Sequence, residues 1–493
     1  MKTDGVKNPD DRADRRPKQG RAPLFEALQR HIARKPLSFH VPGHRGGDRF
    51  DEEGSKFFAS LLPIDLTELS GLDDLHQPQG AIAEAQQLAA EVFGAEETFF
   101  LVGGSTAGNL AMVLAACRPG DKLLVGRDAH RSVFHACMLA GAKVVPLMPK
   151  VHPAFAVPCG VDLATVRQGL ARHPDARAVL LTNPNYYGMG RNLAAIAEAV
   201  HAHGIPLLVD EAHGAHFSFH PSLPPTALSA GADGVVQSAH KTLPALTMGA
   251  FLHLQGARLS RWKVRQALAM VQTSSPSYPV LASLDLARRW MVSQGSDRLG
   301  RLLDAASRLQ ERLRRRGWRV PEANSPFYDW TDPLRLLLHH PDISGYQVAE
   351  RLEAEAVFPE LADPLQVVCV VTAANREEDL ERLADVLASI DRRPAHGKAG
   401  TAAAELAARW QEVYGENELD LSGWMHRERE QVRWTAAGGR RSAGMVVPYP
   451  PGIPLLLPGE EIRDCHLALL DIYQKLGAHV QGLLSGELSV IRE

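Results

Sequence analysis

From residue 81 onward, short continuous apolar runs alternate with amphipathic helical stretches, and this alternation limits the chain to very few folds. The segment 81–94 has helical periodicity and ends on Gly94, a helix stop. TFFLV (98–102) predicts a buried strand, 107–117 a helix ended by Arg118-Pro119-Gly120, and KLLVG (122–126) a second strand. A helix over 132–139 and the strand KVVPL (143–147) follow, then AVLLT (178–182), a helix over 193–203 and IPLLVD (205–210). GVVQS (234–238) and AFLHL (250–254) complete the series. Strands apolar along their whole length must be covered on both faces, so an α/β fold with a mostly parallel central sheet is expected. Ligands of such sheets bind beyond the carboxyl ends of the strands, so the chemistry is expected in the loops that follow them.

The flanks read differently. Residues 1–20 carry no apolar segment and predict a disordered tail, neither secretory signal nor transit peptide. An entry helix near Pro23 and the irregular stretches FHVPGHRGG (39–47) and DLTELSGLDDLHQPQG (65–80) predict an N-terminal arm over 21–80 that rims the site. The large domain then runs over 81–290. A smaller α/β domain over 291–390 opens with an Arg-rich helix at 296–316 and carries the strands LRLLLHH and LQVVCVV. A linker is expected at 391–403 and a C-terminal region over 404–493.

Composition removes several classes. The 493 residues include 54 Lys+Arg and 57 Asp+Glu, a net charge of −3, so nothing marks nucleic acid as a partner. No apolar run approaches the roughly 18 residues of a membrane span. The five cysteines are scattered without a CxxC pair, which suits reduced thiols in a cytoplasmic protein and suggests neither a metal site nor a disulfide framework.

Three strand ends carry residues that could do chemistry. GGSTAGN (103–109) joins a strand to a helix, where backbone N–H groups favour an anion and Ser105 and Thr106 add hydroxyls; such a turn also serves as a plain helix cap. Asp210 closes the strand LLVD, where a buried acid needs a partner; a protonated pyridine nitrogen or a structural cation would serve. Lys241 follows a buried strand in QSAHKTL, flanked by Ser238 and His240. A lysine there is either solvated, or desolvated and functional, and lysines form Schiff bases with aldehydes. Phosphate cradle, carboxylate and lysine together match the needs of pyridoxal 5'-phosphate.

The chain resembles the fold-type-I pyridoxal-phosphate family of ornithine/lysine/arginine decarboxylases, in a short form without the N-terminal wing domain. The resemblance rests on FHVPGHRGG, DLTELSGLDDLHQPQG, GGSTAGN, TNPNYYG, LVDEAHGAHFSFHPSLP, VVQSAHKTLPALT, QTSSPSY and VVPYPPGIPLLLPGE, which span residues 39–460. Arg45 stands where the family usually has lysine. The resemblance implies an aspartate-aminotransferase-like fold whose last region, 404–493, is the family's C-terminal decarboxylase domain. It implies that Lys241 holds the cofactor, Asp210 pairs with the ring nitrogen, and Ser105, Thr106, Ser238 and His240 bind the phosphate. His130 would stack on the ring and His213 would lie near its phenolic oxygen. Thr273 and Ser274 would reach a phosphate across a dimer interface. Lys241, Asp210, His240 and His130 are then the expected catalytic residues, with Lys241 or His240 returning the proton to Cα. Glu68 and Asp73 could meet the cationic end of a substrate or be solvated loop acids.

The implied activity is decarboxylation of a basic amino acid, arginine or lysine ahead of ornithine, giving agmatine, cadaverine or putrescine for polyamine metabolism. The alternative is an aminotransferase or another Cα-bond lyase of the same fold. The implied assembly is a homodimer or larger homo-oligomer.

Overall fold

The computed structural model describes residues 16–47, 49–390, 399–413, 417–449 and 452–492. At the centre is an eight-stranded sheet. Its strands are β1 (Glu97–Leu101), β2 (Lys122–Gly126), β3 (Lys143–Leu147), β4 (Ala178–Thr182), β5 (Leu207–Asp210), β6 (Gly234–Gln237) and β7 (Ala250–Leu254). The eighth is a short strand from the C-terminal region, given below. β6, β5, β4, β2 and β3 lie side by side and parallel; β7 runs antiparallel to β6, and β1 antiparallel to β7. This is the expected mostly parallel sheet.

Side chains alternate between the two faces, and each face is buried. Leu124, Val145, Val179, Val209, Val235 and Phe251 pack into one apolar cluster. Their neighbours Leu123, Val144, Leu180, Leu208, Val236 and Leu252 pack into another. Helix α1 (Pro23–Ala33) and helix α2 (Ala81–Phe93) cover the first face, and α3 (Gly104–Ala116) and α4 (Arg131–Ala140) the second. α3 approaches the sheet so closely that a Cβ on Gly108 would collide with Val236. β1 is an edge strand, and two side-chain amides occupy its outer N–H groups: Phe100 N–H donates to Gln86 Oε1 (2.8 Å) and Val102 N–H to Gln272 Oε1 (2.9 Å).

The N-terminal segment differs from the expected arm. α1 is part of the large domain's body, with Leu24 and Leu28 fully buried. It is held by α6, numbered after α5 (Ala239–Thr242) and spanning Tyr278–Trp290. Asp285 accepts from Leu24 N–H (3.0 Å) and is ion-paired to Arg288 (2.8 Å). Arg288 also donates to the Gln19 carbonyl (2.8 Å) and to that of Arg21. Residues 16–20, expected in the tail, are thereby partly structured, and Arg16–Gln19 is a helical turn. Residues 1–15 lie outside the described residues.

The small domain holds a three-stranded antiparallel sheet in the order β8 (Arg335–His339), β10 (Gln366–Val370), β9 (Leu361–Ala362). Helices α7 (Ser296–Arg315), α8 (Gly345–Ala354) and α9 (Glu377–Ser389) accompany it. Of the expected linker, 391–398 lies outside the described residues, and α10 (Ala399–Val413) begins within its remainder. The C-terminal region adds β11 (Leu419–Asp420) to the outer side of β3 and forms its own core with α10, α11 (Asp464–Lys475) and a small sheet. Arg127, buried at the end of β2, ties this region down: it donates to the carbonyls of Pro454 (2.6 Å) and Leu455 (3.2 Å) and pairs with Glu460 (3.0 Å).

The Asp285–Arg288 pair is fully buried, and burial raises the Asp285 carboxyl even against the opposing pull of Arg288. Removing one partner leaves an uncompensated buried charge. Arg288→Met is expected to lower unfolding stability by about 3–5 kcal/mol in urea denaturation, with a loss below about 1 kcal/mol counting against this role.

Candidate active site

Strand register brings the chemistry together. Thr182 at the end of β4 pairs with Asp210 at the end of β5, and Asp210 with Val236 of β6. Beyond these ends opens a cavity of about 520 Å³. Its walls include Ser105, Thr106, His130, Asp210, His213, His240 and Lys241, seven of the expected site residues. Ser238 sits just beneath, at the end of β6, fully buried with its hydroxyl unpartnered.

Each part has a local cause. Gly104 takes φ +70°, and its N–H donates to the Met248 carbonyl (2.9 Å), which turns the chain sharply into α3. The N-terminus of this 13-residue helix and the hydroxyls of Ser105 and Thr106 therefore face the cavity. Asp210 accepts from Asn109 Nδ2 (2.9 Å) and from Ala212 N–H (3.1 Å). Asn109 Nδ2 also donates to Ser132 Oγ (3.0 Å), which pairs with His130 Nδ1 (2.9 Å). His130 caps α4, and burial pushes its pKa down to about 4, so it is a neutral ring at physiological pH.

Lys241 is partly buried. Burial lowers its pKa to about 8, with Asp210 opposing and Arg335 assisting. Its Nζ lies 3.2 Å from His213 Nε2. His240 Nδ1 donates to the Gly249 carbonyl (3.0 Å), and burial lowers its pKa.

Glu211, beside Asp210, faces away from this chemistry. It accepts from Ala227 N–H (2.7 Å) and Gln237 Nε2 (2.7 Å), while Gln237 Oε1 meets His253 (3.1 Å) and His253 meets Thr98 (2.8 Å). The four side chains cross the sheet from β5 to β1 and are essentially inaccessible.

Two expected residues are elsewhere. Thr273 and Ser274 are exposed, in the turn before α6, and do not line this cavity. Among the described residues, none of 21–80 lines it either, so the expected rim is absent within one chain. Asp73 is a loop staple: it accepts from the N–H groups of Gln79, Gly80, Ile82 and Ala83. Burial raises its pKa, but these donors outweigh that and lower it overall.

Lining residues that were not anticipated include Tyr186, Arg335, Glu360 and Tyr449. Arg335 and Glu360 come from the small domain and Tyr449 from the C-terminal region. Tyr186 stands in TNPNYYG, a matching motif to which the sequence assigns no role. Arg335 opens an apolar strand, and a charge heading such a strand was the signal available.

The residues fit pyridoxal phosphate. The cavity presents a helix N-terminus and two hydroxyls, and Ser238 Oγ, just past the end of β6, is a buried orphan, which suits a phosphate. Asp210 is buried, and among the described residues no side-chain cation lies within ion-pair distance, which suits a protonated ring nitrogen. A desolvated amine shares the cavity.

Fold and site together define a fold-type-I pyridoxal-phosphate enzyme. The profile of the family described as "Orn/Lys/Arg decarboxylase, major domain" matches residues 22–335, and that of its C-terminal domain matches residues 415–485. An uncharacterised protein of Bacillus subtilis, YaaO, is 42% identical, over 93% of this chain and 96% of its own. The arginine decarboxylase of Bacillus subtilis is 33% identical, over 96% and 98%. The Escherichia coli constitutive lysine decarboxylase superposes with a TM-score of 0.82 at 20% identity, over 96% of this chain and 82% of its own. The chain belongs to the Orn/Lys/Arg decarboxylase family and is a pyridoxal-phosphate-dependent amino-acid decarboxylase. That decides against the aminotransferase alternative.

Burial without a countercharge pushes the Glu211 carboxyl up from 4.5 to about 8. The folded protein then holds a proton between those values that the unfolded chain has lost, so stability falls as pH rises across this window. Glu211→Gln should flatten that slope, and its stability relative to wild type should rise between pH 5 and pH 8 by about 2 kcal/mol or more in denaturant titrations. Parallel slopes for the two proteins would show that Glu211 ionises normally.

Proposed function

We propose that the chain decarboxylates a basic amino acid, arginine as the leading substrate and lysine next, with ornithine third. The observation that carries this reading is the acidic group on the small-domain side of the cavity. Glu360 lines the same cavity as Lys241 and Asp210 and accepts a hydrogen bond from Tyr186 Oη (3.3 Å). A carboxylate there suits a guanidinium or ammonium at the far end of a substrate whose amine meets Lys241. Curated arginine decarboxylases from Bacillus anthracis and Bacillus cereus, 34% and 35% identical, support arginine over lysine. Agmatine formation would put the reaction at the entry to polyamine metabolism.

In this reading Lys241 Nζ carries the cofactor, and Ser105, Thr106, Ser238 and His240 hold its phosphate. When bound, the cofactor supplies a ring that accepts the electron pair left as CO₂ departs. Asp210 keeps a proton on the ring nitrogen, and Asn109 holds the carboxylate in place for that. His130 presents a neutral ring face, because Ser132 donates to its Nδ1 and burial disfavours its cation. Lys241 or His240 returns the proton to Cα.

The functional unit in this reading is a homodimer. Leu37, Phe39 and Phe57 are 84%, 82% and 82% exposed, an apolar surface that a monomer would leave in water. Thr273 and Ser274 are free to reach the phosphate of a second copy. A cytoplasmic location fits the five free cysteines, four of them buried. Among the described residues no helix is long and apolar enough to cross a membrane.

Side-by-side assays of CO₂ release from arginine, lysine and ornithine test the substrate; arginine is expected to give the highest kcat/KM, and preference for an uncharged amino acid would refute the reading. Glu360→Gln should raise the KM for arginine about tenfold or more, through loss of a charge-assisted pair. Lys241→Ala should abolish both turnover and the visible absorbance of the bound cofactor. Asp210→Ala should lower kcat by several orders of magnitude, and a near-wild-type rate would remove Asp210 from the electron-sink role.

A further inference from the structure

We infer that Arg335 is a positioning residue that fixes the tautomer of His213, and that His213 thereby biases Lys241 toward the free amine that the cofactor aldehyde needs. The inference rests on Lys241 being the cofactor lysine, and it concerns the protein before cofactor is bound.

Hydrogen counting along the three side chains leaves one arrangement. Arg335 Nη2 lies 2.6 Å from His213 Nδ1. A guanidinium has only donors, so Nδ1 must be the acceptor and carries no proton. A neutral imidazole has one N–H, which is therefore on Nε2. The imidazolium would need a proton on Nδ1, facing the guanidinium, so it is excluded. Nε2–H points at Lys241 Nζ, 3.2 Å away. An ammonium has no lone pair and cannot accept that bond; a neutral amine can. His213 and Arg335 are both buried.

The surroundings agree. Lys241 is faced by Asp210 from β5, Glu360 from the small domain, Arg335 from β8, His130 before α4, His240 in α5 and the Tyr186 ring. Asp210 and Glu360 favour the ammonium, and Arg335 opposes it. Burial and the nearby cations hold His213 far below its ordinary pKa. Arg335 is itself fixed: it donates to the Tyr186 carbonyl (3.3 Å), and the backbone at Gly188 packs on its methylene stem. A second contact runs parallel to it, since His216 Nε2, three residues after His213, lies 3.1 Å from a carboxylate oxygen of Asp332, three residues before Arg335, both buried. The small domain is thus clasped to the loop after β5 at two points, and one of them sets a proton position at the reactive lysine.

Competitive acetylation of the cofactor-free protein tests this, with Lys241 labelling measured against exposed Lys263 from pH 6 to pH 10. The wild-type midpoint is expected near pH 8. Arg335→Met keeps the packed stem and should raise the midpoint by about one unit, an approximately tenfold loss of free amine at pH 7. Arg335→Lys, which restores a charged donor, should return it toward wild type. His213→Ala should raise the midpoint with Arg335 in place, and in that background the effect of Arg335→Met should shrink to less than half. An unchanged midpoint in Arg335→Met or in His213→Ala overturns the inference, as does a full-sized Arg335 effect without His213, which would mean charge acting directly. Labelling reads the bare protein; the assignment of Lys241 as cofactor lysine fails separately, if Lys241→Ala still takes up the cofactor.

Discussion

A partly buried lysine amine that shares a cavity with a buried carboxylate is the constraint on which the rest of the structure depends. Lys241 and Asp210 share one cavity, yet they are not joined as an ion pair. Two unpaired buried charges would be costly; burial lowers the lysine pKa to about 8, and neutral donors hold the carboxylate. Asn109, Ser132 and His130 extend this arrangement along one wall as a chain of neutral hydrogen bonds.

The sheet makes such a site possible because its strands end together. Asp210 and Ser238 close adjacent parallel strands, and Thr182 closes the next. The remaining walls are supplied from a distance. Arg335 and Glu360 lean in from the small domain, while Arg127 anchors the C-terminal region so that Tyr449 and Ile453 reach the cavity. Three parts of the chain thus line one cavity around the amine.

Much of this was legible in the sequence, for a definite reason. Continuous apolar strands signal themselves by period and length, and AFLHL and AVLLT fall on β7 and β4 as expected. Lys241, Asp210 and Ser105 were legible because a polar residue just past a buried strand must be solvated, paired or reserved for a ligand. Arg335 and Glu360 were not, because their approach depends on how the small domain packs, which no local pattern encodes. The N-terminal helix was misplaced as a rim because its anchor, the Asp285–Arg288 pair, lies far along the chain and each member reads as an ordinary helix charge. Thr273 and Ser274 stand outside the cavity of their own chain.

The central claim is that Lys241 is the residue that takes the cofactor. Borohydride reduction of the protein reconstituted with pyridoxal phosphate, followed by peptide mapping, addresses it most directly. One stoichiometric phosphopyridoxyl label is expected, on the peptide containing Lys241. A label on another lysine, with Lys241 unmodified, would contradict the claim.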